Sequence, residues 1–294
     1  MRKMNQGEPT LSFKIKPPLG TPLNYYQPFA RGLIGCWLFN ESGVSNTFTT
    51  VPYPGSTAYG ASGGLSDSGV VLENGAIKFD ASEGGYQNNI YLFDRIYLTA
   101  GSPFTLIWSE KVIADTDTYP GRFSLVMAGT ANDFLVAREK GGASYGGLLW
   151  GRAPNTIAGT VGPVTAINPG DNVGEWVTFA ITGSDPNSVA AADYSLYMNG
   201  ISKPVENKTN LGTPAGKNRI GYMNYINGPN CYMNHVLIYN KILTPSEIKG
   251  LYSEPYAMFE PAIPNGVLFG YVAAAVAPTS VLYGPLCGPL AGPI

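Results

Sequence analysis

Charge is scarce in this chain of 294 residues. Its 18 lysines and arginines and 20 aspartates and glutamates make up 13% of the sequence, against about 25% in a typical soluble domain. A formal net charge of -2 leaves none of the concentrated basic surface that a phosphate backbone requires, so nucleic acid is not expected as a partner. One local exception, Arg2, Lys3, Lys14 and Lys16 facing only Glu8, reads as a solvated arm. Histidine is rarer still. The single His235 would have to serve any Ser-His-Asp or Cys-His mechanism, and its position inside an apolar strand reads as structural. Cys36, Cys231 and Cys287 are too few and too far apart for a zinc site or a disulfide framework and read as reduced, buried thiols.

Long apolar runs are missing too. Gly266 to Ala277 is only twelve residues long and is closed by Pro278, short of the roughly 20 needed to cross a bilayer, so no membrane span is expected. The opening MRKMNQGEPTLSFKIKPP holds no apolar stretch of the kind an export signal needs, and without that route the N-x-S/T sequons at Asn40 and Asn207 carry little weight. Beyond Glu260 charge disappears: the last 34 residues, ending GPLCGPLAGPI, are Pro, Gly, apolar and a few small polar types.

What is abundant is glycine (37), proline (24) and tyrosine (19), a composition of short strands and turns. Residues 1–30 read as an extended N-terminal arm interrupted by Pro17, Pro18, Pro22 and Pro28, residues 31–258 as the folded body, and 259–294 as an apolar tail rich in Pro and Gly. In GLIGCWLFNE, Leu33, Trp37 and Phe39 alternate with Ile34, Cys36 and Leu38, so both faces are apolar and a centrally buried strand is expected. Residues 43–68 and 141–175 read as loops. Strand signals occupy VVLENGAIKFD, FTLIWSEKV, RFSLVMAG, DFLVARE, EWVTFAITG, DYSLYMNGISKPV and CYMNHVLIYN, with hairpin turns at Asn74-Gly75 and Asn199-Gly200. LTPSEIKGLYSEP is the one convincing helix: Thr244 caps it, Pro245 opens it, Glu247 closes a capping box, and Ile248 with Leu251 form its buried side. The pattern predicts an all-β antiparallel sandwich with one short C-terminal helix and extended arms at both ends.

Three blocks carry a resemblance. GLIGCWLFNE, EWVTFAITGSDPNS with YSLYMNG, and RIGYMNYINGPNCYMNHVLIYNKILTPSEIKGLY together resemble laminin-G-like, concanavalin A-like lectin/glucanase domains and bracket residues 32 to 252. The resemblance implies a jelly roll of two packed sheets, but no single activity, because this fold carries lectins, glycosidases, calcium-dependent modules and structural domains. The glucanase branch supplies its two carboxylates from a Glu-x-Asp-x-x-Glu strand, and that pattern is absent. Glu110 and Asp115 have another spacing and read as a strand end entering a loop. No catalytic residue is therefore expected, and the chain reads as not an enzyme. Calcium is the one candidate cofactor. Asp80, with Glu83 nearby, stands where the family has a Phe-Asp-Gly-type motif, though the glycine is lacking and a turn-capping role is the alternative. Tyr86, Trp150, Tyr222 and Tyr225 are candidates to stack on sugar faces, or else core or interface residues.

Laminin-G-like bodies flanked by proline-rich arms, and the continuation LYSEPYAMFEP after the helix, resemble proteins of tailed bacteriophages and prophages. That resemblance implies a non-enzymatic virion protein made in the host cytoplasm, first of all a capsid decoration protein on the head surface. Leu286, Leu290 and Ile294 of the tail would then be buried on a capsid or other virion protein or on a second copy in a homo-oligomer. The alternatives are a tail-associated receptor-binding adhesin for host surface glycans, and a secreted lectin or glycosidase.

Overall fold

The computed structural model describes residues 16–18, 21, 23–24, 26–39, 47–48, 63–65, 70–73, 75–79, 90–92, 98–113, 121–130, 133–139, 147–152, 157–159, 174–188, 190–205, 219–221 and 229–259. The chain divides into two compact units, Met1–Glu260 and Pro261–Ile294. The second, with Cys287, Leu286, Leu290 and Ile294, lies outside the described residues.

In chain order the strands are β1 (Leu33–Trp37), β2 (Thr47–Phe48), β3 (Gly63–Leu65), β4 (Val70–Glu73), β5 (Ala76–Phe79), β6 (Ile90–Leu92), β7 (Leu98–Thr99), β8 (Phe104–Val112) and β9 (Gly121–Ala128). They continue with β10 (Asp133–Glu139), β11 (Gly147–Arg152), β12 (Ile157–Gly159), β13 (Trp176–Gly183), β14 (Tyr194–Met198), β15 (Ile201–Lys203), β16 (Arg219–Ile220) and β17 (Cys231–Tyr239), followed by helix α1 (Pro245–Ser253). One sheet has the order β15-β14-β13-β8-β17-β5-β4, with β1 also on β17; the other has β12-β11-β10-β9-β16-β6-β3-β2, with β7 on β9. The β7–β9 pair is parallel and the other pairs are antiparallel, so the all-β sandwich with one short helix expected from the sequence is the fold found.

Period-two alternation fills the space between the sheets. Phe104, Leu106, Trp108 and Val112 of β8, Val177, Phe179 and Ile181 of β13, and Phe123, Leu125 and Met127 of β9 all belong to one buried cluster. Trp108 lies at its centre, stacked on Phe179 at 5.2 Å and edge-on to Phe123 at 5.1 Å. The intervening residues Ile107, Ala180, Leu237 and Tyr239 do not face water. They form a second cluster, closed from outside by Leu23, Ala30, Leu33, Ile248, Leu251, Met258 and Phe259. The middle of the first sheet is thus buried on both faces, which accounts for the doubly apolar reading of GLIGCWLFNE.

Helix α1 makes the lid over that second cluster. Its capping box forms as expected: Glu247 N donates to Thr244 Oγ1 at 3.2 Å, and Thr244 N donates to Glu247 Oε2 at 2.7 Å. A Cβ at Gly250 would fall 2.7 Å from Phe29 Cζ, so glycine is what lets the N-terminal segment come this close. Asn24 N donates to Met258 O at 2.8 Å, and Leu23 bridges to Phe259. Residues from the stretch read as an arm therefore take part in the packing of the body.

Two stretches read as loops carry strands. Residues 43–68 contain β2 and β3, and 141–175 contain β11 and β12, all in the second sheet. Gly63, Gly64, Gly147 and Gly151 dilute the apolar alternation there, and the pairing is supplied by neighbouring strands instead of by local preference. No helix among the described residues is long and apolar enough to cross a membrane.

Candidate functional site

Five of the residues singled out by sequence lie on two segments far apart in the chain: Asp80, Glu83 and Tyr86 between β5 and β6, and Tyr222 and Tyr225 between β16 and β17. These residues are outside the described ones, but the ends of both segments are not. Phe79 pairs with Cys231 in the first sheet, and Ile90 pairs with Ile220 in the second. In chain order the first segment leads from the first sheet to the second and the other leads back, and their described ends lie side by side in both sheets. Strand register brings these ends to one rim of the sandwich across about 140 residues of sequence. At the same rim Ile113 N, at the end of β8, donates to Asn230 O at 2.9 Å, and Gly174 N donates to Val112 O at 2.8 Å.

Gly221 fixes how the second segment departs. Its φ is +85°, and a Cβ there would meet Phe79 Cε1 at 2.3 Å. Only glycine combines that backbone with that contact. Gly221 N donates to Arg122 O at 2.7 Å, tying the turn to the start of β9.

Beneath this rim lies an ion pair that the sequence pattern does not announce. Glu110, expected at a strand end entering a loop, sits inside β8 and points between the sheets, 1% exposed. Arg122 Nε donates to Glu110 Oε2 at 2.6 Å and Nη2 to Oε1 at 3.4 Å, while Trp108 Nε1 donates to Oε2 at 3.1 Å. The β9–β10 register shifts between Val136↔Phe123 and Ala137↔Gly121, and at this bulge the consecutive Arg122 and Phe123 both reach the interior. A bidentate guanidinium with a third donor compensates the carboxylate in a dry place. It joins β8 of one sheet to β9 of the other. The available signal is the parity of Glu110 with Phe104, Leu106 and Trp108, which puts it on the inward face.

The remaining candidates are placed as follows. Trp150 is not on a loop: it lies in β11 and its indole is fully buried in the inter-sheet cluster, edge-on to Tyr194 at 6.4 Å, so it is a core residue and cannot stack on a sugar. Its Nε1 has no hydrogen-bond partner among the described residues. His235 is buried on the outer face of β17, its ring 5.9 Å from that of Tyr256, whose hydroxyl donates to Asn234 Oδ1 at 2.8 Å. Burial, and secondarily the charge of Lys16, push the imidazole pKa down to about 3, so it is neutral at physiological pH. Burial pushes the Cys36 thiol up, against a smaller opposing pull from Lys16, which leaves it unreactive. Cys36 and Cys231 are both buried, in different clusters. Ser124 Oγ donates to Asp133 Oδ2 at 3.3 Å on the other face of β9, and both are buried. Among the described residues no three His, Cys, Asp or Glu side chains converge on a point where a metal would sit.

The sequence matches no protein-family model and no curated protein. Solved structures do share the fold. Domain 4 of an extracellular GH43 arabinanase from Geobacillus stearothermophilus, solved with arabinotriose, aligns with a TM-score of 0.50 at 18% identity, over 75% of this chain and 98% of that one. A Trypanosoma rangeli sialidase in complex with the inhibitor DANA aligns with a TM-score of 0.50 at 12% identity, over 78% of this chain and 34% of the sialidase. The chain thus spans about a third of the sialidase's length. At such identities the likeness establishes the fold alone. It nevertheless corrects one expectation. The sequence reads as that of a non-enzyme, whereas the proteins that share its fold include an arabinanase and a sialidase. The missing Glu-x-Asp-x-x-Glu strand excludes one branch of glycosidases and no more.

Proposed function

We propose that the sandwich is a laminin-G-like, glycan-binding module whose ligand site is the rim marked by the paired ends of the segments 80–89 and 222–228. The observation that carries this reading is the double pairing of their ends, Phe79 with Cys231 and Ile90 with Ile220. Between those ends the sequence carries Tyr86, Tyr222 and Tyr225, able to stack on sugar faces, and Asp80 and Glu83, able to accept from sugar hydroxyls. The arabinanase domain supports the ligand class: 98% of that small domain is matched, and it was solved holding an oligosaccharide. A glycan array probed with the full chain is expected to register binding, competed by free oligosaccharide. Tyr222→Ala and Tyr225→Ala should each weaken it by about 2- to 12-fold, the worth of one aromatic contact. An array without signal, or binding untouched by both substitutions in folded protein, ends the proposal.

The module's setting is a bacteriophage virion. The boundary between the two compact units falls at Glu260, where charge leaves the sequence, and this favours a tail that serves as a separate strap. Of the two virion settings, the tail-associated adhesin is preferred over the head decoration, because a glycan-binding rim has a task at the host surface. Deleting 261–294 is expected to abolish incorporation into particles while leaving glycan binding intact. Normal incorporation of the truncated chain would defeat the strap.

A further inference from the structure

One edge of β17 is served by two different strands. β5 pairs with its Cys231–Met233 part and β1 with its Val236–Tyr239 part, and the ladder breaks between them. At that break the β17 register with β8 also shifts, between Met233 and His235, leaving Asn234 as the bulged residue. The two partner strands end there as well. Leu38 follows the last residue of β1 and precedes Phe39, whose φ of +51° is left-handed for a bulky buried side chain. Gly75, at φ +70°, occupies the turn just before β5. Three backbone irregularities therefore coincide, and each turns a carbonyl away from regular pairing. Carbonyls gathered in this way need donors.

Lys16 supplies them. Its Nζ donates to Leu38 O, to Gly75 O and, at 2.6 Å, to Asn234 O. A primary ammonium carries three donors and suits three convergent oxygens, which the planar fork of an arginine would not. The following Pro17 is buried, so the segment is seated and does not merely pass by. Leu38 and Asn234 are buried while Gly75 is exposed, so the cage opens to solvent on the Gly75 side. The left-handed backbone of Phe39 fits a conformation held in place by its surroundings.

We propose that the carbonyls of Leu38, Gly75 and Asn234 form a binding site for a primary ammonium group, filled within the chain by Lys16, which latches the N-terminal segment across the break between β1 and β5. The depressed pKa of His235 and the pull on the Cys36 thiol are consistent with that charge lying against both groups. Emptying the site tests it. Lys16→Ala is expected to lower Tm by about 5 °C, and methylammonium chloride should restore much of the loss by mass action. Tetramethylammonium chloride at equal concentration has no N–H and should restore none. Lys16→Met keeps the apolar stem in place, so it should lose as much and gain nothing from methylammonium. The proposal is overturned if Lys16→Ala or Lys16→Met melts like the wild type, or if the two ammonium salts act alike on Lys16→Ala. Should Lys16→Ala fail to fold unaided, its refolding yield decides in the same way: recovery in methylammonium alone supports the site, and equal yields in the two salts overturn it.

Discussion

The middle of the first sheet is buried on both faces, yet the two faces are built differently. Between the sheets the filling comes almost wholly from strands and is the richer in aromatic rings, with the Glu110–Arg122 ion pair enclosed in it. On the outer face the strand residues are mainly aliphatic and are covered by segments outside the strands: Leu23 and Ala30 from before β1, and Leu243, Ile248, Leu251, Met258 and Phe259 from after β17. The inner core depends on alternation and tolerates no misplaced charge. The outer one depends on two remote ends of the body meeting over the sheet, so its elements should fail separately.

The largest expected effect is in the inner core. Glu110→Ala leaves Arg122 buried beside an apolar wall and Trp108 Nε1 without this acceptor, and should cost about 3–5 kcal/mol in urea unfolding. The double variant Glu110→Leu with Arg122→Met should cost clearly less than Glu110→Ala, since the penalty comes mostly from the orphaned charge. Equal costs would show that the pair does not act as a unit. On the outer face Leu251→Ala should cost about 2–5 kcal/mol. The tryptophan bands of the folded variant's near-UV circular dichroism should stay unchanged, because Trp37, Trp108 and Trp150 lie in the other cluster and Trp176 in neither, whereas the bands of Tyr197 and Tyr239 can shift. Altered tryptophan signals would mean that the two faces are one packing unit.

The contrast also governs what is legible in the sequence. Inward parity on β8 and β13, the Asn199-Gly200 turn with φ of +52° and +75°, and the Thr244 capping box are all local patterns, and the residues display them directly. Glu110 follows the same parity, but its charge suggests a strand end. The packing of Leu23 and Ala30 has no local signal at all, because it is set by where Met258 and Phe259 return. The rim is half legible. The tyrosines and carboxylates proposed for it stand out by type, but only the pairs Phe79↔Cys231 and Ile90↔Ile220 show that the ends of their segments meet. Trp150 misleads because glycines surround it in sequence while its strand is buried in space.

An intermediate effect belongs to pH. His235 has a folded pKa of about 3 against an ordinary value of 6.5, lowered by burial first and by Lys16 second. The unfolded chain therefore takes up a proton below 6.5 that the folded chain refuses until about 3, so stability falls as pH drops through this window. The slope approaches about 1.4 kcal/mol per pH unit, or about 2 kcal/mol between pH 6.5 and 5. As no other histidine is present, His235→Phe should flatten urea-unfolding stability over that interval. A slope that survives the substitution would place its origin elsewhere.

The smallest expected effect tests how the outer cluster is closed. Thr244→Ala removes the oxygen that accepts from Glu247 N and should cost about 1 kcal/mol, read as a lower Tm. Burial alone would raise the Glu247 pKa, but hydrogen bonds from Lys241 and from the backbone and side chain of Thr244 outweigh it and hold the carboxyl below its usual 4.5. Its contribution is thus complete above that value and is lost as pH falls through the lowered folded pKa. Thr244→Ala deletes the side-chain share of this shift and keeps the backbone donor. The variant's disadvantage should therefore shrink on acidification, once the carboxyl is protonated in both proteins. A disadvantage that stays constant down to pH 3 would mean that Thr244 acts through the helix backbone alone, and that the cap is held without the Glu247 charge.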